Sequence, residues 1–125
     1  MNNHDKHKAL ITTVPFGQYN NYPLELLEVN NIEYDLNPLG RRLKADELAE
    51  MISEYSILIA GTEQITKDVL NNATKLKLIS RVGIGLDSVN LLIAKKNGVI
   101  VSYTPDAPAP AVGELTIGLM LSTLR

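Results

Sequence analysis

No stretch narrows the possible folds of this chain more than LKLISRVGIGLDSVNLLIAKKNGVIV, from Leu76 to Val101. Leu76, Leu78, Ile79 and Val82 form a short apolar run rich in branched residues, the pattern of a strand buried on both faces of a sheet. Gly83 and Gly85 break that run, and from Ser88 the spacing changes to the helical stripe Val89, Leu92, Ile93. Lys95 and Lys96 fall in the last turn, where positive charge suits the helix dipole, and Gly98 closes the helix before a strand from Val99 to Val101. Strand, glycine turn, short helix and strand in so few residues make a βαβ unit, whose strands are parallel and joined right-handed. The loop from Gly83 to Gly85 therefore sits at the carboxyl end of a strand, the edge where open α/β sheets bind ligands.

The full chain of 125 residues fits one compact domain with an appendage. A net charge of −2 without a basic cluster argues against nucleic acid or an anionic membrane as the main partner. No apolar stretch approaches the ~20 residues that span a bilayer. Residues 1–8, MNNHDKHK, are too polar for a signal peptide and read as a frayed leader, so the expected location is cytoplasmic. Without cysteine there is no disulfide, no thiolate nucleophile and no cysteine-based metal site, and no metal is expected.

Strand and helix patterns alternate from the start. Ala9 to Thr13 reads as a strand, followed by the turn-rich VPFGQYNN and a helix opened by Pro23. Ile32, Tyr34 and Leu36 alternate with Glu33 and Asp35, as in an edge strand with one wet face. Leu43, Leu48, Met51 and Ile52 mark the next helix, with Asp46 and Glu47 in its first turn. Ile57 to Ala60 is a buried strand ending at Gly61, and Thr66 caps a short helix through Val69 and Leu70. The sum is an α/β domain of three layers with a five-stranded parallel sheet. Beyond it, Pro105, Pro108 and Pro110 predict an extended segment, and a helix from about Ala111 to Leu124 is apolar nearly all round. Such a helix needs cover, either from a second copy in a homodimer or from its own domain.

AGTEQITKDVL, LKLISRVGIGLDSVNLLIAKKNGVIV and TPDAPAPAVGELTIGLMLSTLR, in that order, resemble the amino-terminal part of the D-isomer-specific 2-hydroxyacid dehydrogenases, the family of D-3-phosphoglycerate dehydrogenase. The resemblance covers essentially residues 8–125. It implies a flavodoxin-like substrate-binding domain over residues 1–104, then a crossover and helix over 105–125 leading to a separate dinucleotide-binding domain. It also implies transfer of hydride between a nicotinamide and a small 2-hydroxy or 2-keto acid. NAD would be bound by the separate domain, with none on this segment. In the family the GxGxxG loop and the catalytic Arg, Glu and His all lie downstream of the matching segment. No catalytic residue and no turnover are therefore expected here, and His4 and His7, both in the leader, are not taken as catalytic.

Successive backbone amides bind a carboxylate well, and a glycine lets a ligand approach the main chain with no Cβ in the way. The alternative for Val82 to Gly85 is a tight turn that needs positive φ. In the family the amides of the matching loop hold the substrate carboxylate, which carries over to Val82, Gly83, Ile84 and Gly85. Arg81 is a further candidate by its charge, with an internal ion pair as the alternative. Gly61, Thr62, Glu63 and Gln64 end the preceding strand at the same edge, so Thr62 is a candidate contact while Glu63 reads as a solvated loop charge. Some members carry an arginine or serine at this turn, and its lack here counts against a phosphorylated substrate. Family members also place an asparagine in the crossover where this chain has Pro108.

Two other readings compete. Gly83, Gly85 and Ser88 have the spacing of GxGxxG, but Ser88 reads as an N-cap and Asp106 lies within the proline segment, so the fingerprint fits poorly. The chain could instead be a free-standing flavodoxin-like binding or regulatory domain. A receiver domain would need acidic residues at strand ends that read Thr12 Thr13 and Ala60 Gly61, and a flavodoxin would need a denser hydroxyl loop than TTVPFGQYN.

Overall fold

The computed structural model describes residues 6–124. The rest of the leader, including His4, and the terminal Arg125 lie outside them. Five strands form one parallel sheet: β1 Lys8–Ile11, β2 Glu33–Leu36, β3 Ile57–Ala60, β4 Leu78–Arg81 and β5 Ile100–Tyr103, in the order β2-β1-β3-β4-β5. Ala9 lies beside Ile57, Ile57 beside Leu78 and Leu78 beside Ile100, so all the carboxyl ends reach one edge together. The helices are α1 Tyr22–Val29, α2 Ala45–Met51, α3 Lys67–Asn72, α4 Leu91–Lys96 and α5 Ala109–Thr123.

The strand order fixes the layers. The step from β1 to β2 runs one way across the sheet and every later step runs the other, so right-handed crossovers put α1 on one face and α2, α3 and α4 on the opposite one. The main core lies on that second face, where Leu10, Leu58 and Ile79 meet Leu48, Ile52, Val69, Leu70 and Ala94. Burying each of the large aliphatic side chains is worth about 1.5–3 kcal/mol. β2 is an edge strand, as its alternation predicts. Thr66 caps α3 by accepting from the Val69 amide at 3.4 Å, and Gly98 follows α4 with φ +72°.

Several local expectations are corrected. The cap of α4 is Asn90, whose side chain accepts from the Ile93 amide at 3.1 Å, and not Ser88. Val89 precedes that helix and pairs as an isolated bridge with Ile65, which adds a buried apolar contact that the stripe assigned to the helix. Pro110 belongs to the first turn of α5 and not to the extended segment, because an amide there has no helical partner to lose. α5 does not fold back over its own sheet: every described residue from 109 to 124 is exposed.

Candidate functional site

The carboxyl edge brings together Thr12 and Thr13 after β1, Gly61 to Glu63 after β3, Val82 to Gly85 after β4 and Thr104 after β5. A cleft of about 310 Å³ opens there, lined by Thr12, Thr13, Gly61, Thr62, Glu63, Val82 and Arg42 among others. The larger hollow beside β2, lined by Lys6, Glu33 and Asp35, lies among surface ion pairs away from the glycine loop.

The glycine loop is held from below and from the side. Val82 donates its amide to the Ala60 carbonyl at 2.8 Å, which extends the pairing of β3 and β4 by one step. Gly83 donates its amide to Thr104 Oγ1 at 2.7 Å and accepts from the Thr104 amide at 3.0 Å. Its φ of +134° demands glycine, and a Cβ there would also displace Arg81 Nη1, which lies 2.8 Å from where it would stand. Gly85 differs. It carries no such φ, and a Cβ there would meet nothing nearer than Asp87 Oδ2 at 3.9 Å. Ile84 and Gly85 also keep their amides unpaired among the described residues, and both are exposed.

Arg81 is 9% exposed and lies in no ion pair among the described residues. Its Nη1 donates to the Val82 carbonyl while its buried Nε has no partner among them. As placed, the guanidinium props the glycine loop from inside. Thr62 is exposed and turns its carbonyl to Arg42 Nη2 at 2.6 Å.

Glu63 is not the solvated charge its sequence position indicates. It is 2% exposed, accepts from the Thr12 hydroxyl, and accepts from the Gly61 amide at 3.1 Å. A carboxylate that receives a hydroxyl and a backbone amide is compensated for burial, so Glu63 ties the β1 and β3 ends together. Thr13 Oγ1 is buried beside it without a partner among the described residues.

The loop fits a dinucleotide poorly. Gly85 does not open directly onto a helix: residues 86–90 intervene, with Val89 bridged to Ile65. Asp106, at φ +62°, stands in the turn before α5 and not at a strand end. Among the described residues no group of three or more His, Cys, Asp or Glu could hold a metal ion. His7 sits at the opposite end of β1, 3.3 Å from Ser56 Oγ.

Residues 10–123 match the model of the D-isomer specific 2-hydroxyacid dehydrogenase catalytic domain. The chain belongs to that family. It is 39% identical over 92 residues to the hydroxypyruvate reductase of Thermotoga maritima, a match that takes in 73% of this chain and 30% of that protein. With the D-3-phosphoglycerate dehydrogenase of Methanocaldococcus jannaschii it shares 42% identity over 102 residues, 80% of this chain and 18% of the relative. A crystal structure of NAD+-bound 3-phosphoglycerate dehydrogenase from Entamoeba histolytica superposes with a TM-score of 0.82 at 25% identity, over 92% of this chain and 38% of that one. The chain thus spans less than a third of the length of the first two relatives. The parallel α/β fold of the 2-hydroxyacid dehydrogenases is the fold expected from the glycine-centred βαβ unit.

Proposed function

We propose that this chain is the substrate-binding portion of an NAD-dependent D-2-hydroxyacid dehydrogenase, and that a 2-hydroxy or 2-keto acid places its carboxylate on the exposed amides of Ile84 and Gly85. The carrying observation is the division of labour between the glycines: the fold demands glycine at 83 and has no steric use for one at 85. A bare main chain with two unpaired amides at the ligand edge of a parallel sheet suits a carboxylate. Val82 and Gly83 form the wall of that site, their amides being spent on Ala60 and Thr104, and Arg81 supports it from beneath.

On this reading NAD is held by a separate dinucleotide-binding domain, and the chain alone does not turn over. No histidine lies at the ligand edge among the described residues, and the carboxylate there, Glu63, is tied to Thr12 and the Gly61 amide. NMR titration with D-lactate or pyruvate tests the site. The amides of Ile84 and Gly85 move first, with an affinity in the millimolar range, about −4 kcal/mol, as fits a half-built site. Shifts confined to the β2 side or the amino edge overturn the assignment.

α5 supplies the partner surface of the same reading. Val112, Leu115, Ile117, Leu119, Met120, Leu121 and Leu124 are between 58% and 81% exposed, on several faces of one helix. Two copies pairing through α5 cover it with isologous contacts. Sedimentation of the chain shows a dimer, and a version ending at Pro110 runs as a monomer. Equal monomers, with unchanged solubility and melting temperature, overturn the pairing.

A further inference from the structure

Arg41 and Arg42 are neighbours in the loop before α2, yet their side chains do opposite things. Arg41 grips Glu47 with both ends of its fork, Nη1 to Oε2 at 3.0 Å and Nη2 to Oε1 at 2.7 Å. Arg42 has no acidic partner among the described residues. It lines the same cleft as Val82, Thr12 and Thr13, and one hydrogen bond, Nη2 to the Thr62 carbonyl at 2.6 Å, fixes its head there. The rest of the guanidinium fork has no partner among the described residues and is open to solvent.

An exposed arginine ordinarily swings freely, and aligning it costs side-chain entropy. Here the bond to Thr62 has already met part of that cost. What remains is a preorganised cation on the wall of a cleft that Val82, the first residue of the glycine loop, also lines. Guanidinium matches carboxylate and phosphate oxygens in two-point geometry. Glu63, at the floor of the cleft, forms no ion pair with Arg42, its Oε1 being taken by Thr12 and the Gly61 amide, and buried Arg81 adds a second positive group behind the loop.

We propose that Arg42 is a specificity-determining residue that selects 2-hydroxy or 2-keto acids carrying a second anionic group, a carboxylate or a phosphate, at the end away from the reacting carbon. The inference rests on the carboxylate site at Ile84 and Gly85. Arginine reaches the cleft from the loop before α2, so the turn at Ala60 to Thr62 need not provide it, and its lack there does not count against a phosphorylated substrate.

The test compares three probes on the whole chain by NMR: D-lactate without a second anion, D-malate with a second carboxylate, and 3-phosphoglycerate with a phosphate. At the Ile84 and Gly85 amides, at least one of the second-anion acids saturates at concentrations roughly five-fold lower than D-lactate, as one solvent-exposed charged pair allows. Arg42→Gln abolishes that preference and leaves the D-lactate titration unchanged. A gain for both acids assigns a general anion site, and a gain for one alone assigns that anion. In the wild-type chain the Arg42 Nε–H resonance also moves with the preferred acid and stays put with D-lactate, which keeps the test available should the variant fold poorly. Equal titrations for all three probes, a preference that survives Arg42→Gln, or a still Nε–H resonance overturns the role of Arg42 and leaves the carboxylate site standing. If D-lactate itself leaves Ile84 and Gly85 unmoved, the carboxylate site falls and this proposal falls with it.

Discussion

Gly83 and Thr104 hold each other by two hydrogen bonds, amide to hydroxyl at 2.7 Å and carbonyl to amide at 3.0 Å, so the glycine loop and the end of β5 are one rigid corner. Thr104→Val removes the hydroxyl, keeps the shape and gives the Gly83 amide to water. The expected loss is about 1 kcal/mol in thermal or urea unfolding. The Gly83 amide then exchanges faster with solvent while those of the strand core do not.

The two glycines of the loop respond differently to alanine. Gly83→Ala meets both an unfavourable φ and the Arg81 guanidinium, and destabilises by about 1–3 kcal/mol. Gly85→Ala has room for its methyl and leaves the stability within about 0.5 kcal/mol of the parent. It weakens carboxylate binding instead, which a D-lactate titration reads directly.

Glu63→Ala leaves the buried Gly61 amide without an acceptor and turns the Thr12 hydroxyl to its remaining one, the Ile59 carbonyl at 3.1 Å, at an expected cost of about 1–3 kcal/mol in urea unfolding. Glu63→Gln keeps one carbonyl acceptor and costs less. A solvated loop residue would show no difference between the two.

Acid weakens the fold through a few paired carboxylates. The Arg41 fork and then the Lys44 amide hold Glu47 down from an ordinary 4.5 to about 2, while Lys8 and then Tyr55 lower Asp35. Because the folded values are the depressed ones, the unfolded chain binds more protons as pH drops below 4.5, and the stabilisation present above that value drains away toward pH 2. Melting temperatures of the parent and Glu47→Gln therefore differ at pH 6 and converge near pH 2. A constant difference over that range would show that the pairing does not titrate.

Much of the fold was legible because its signals are local. Branched runs ending at Gly61 and Gly83, the capping Thr66 and the alternation of Tyr34 and Leu36 each need only a few neighbours to be read. The misreadings came where distant chain decides. Glu63 looks like any polar loop residue until Thr12, which lies 51 positions earlier, delivers a hydroxyl to it. Ser88 lost the helix cap to Asn90 because it sits in a turn, closed by the Val89 amide on the Leu86 carbonyl, and the Ile65–Val89 bridge comes between that turn and the helix. Arg42 had a faint signal in sequence. Two arginines precede an acidic first turn, and Glu47 can satisfy only one of them with both oxygens.

The ligand edge is stitched from four segments whose residues, Thr12, Gly61, Gly83 and Thr104, are scattered along nearly the whole chain. No unfolded or partly folded form can present that arrangement, so any acid that settles there binds the native state alone. Such a ligand is also a folding agent: at its dissociation constant it raises stability by about 0.4 kcal/mol and at about ten times that concentration by about 1.4 kcal/mol, protection against unfolding and proteolysis that follows from mass action alone.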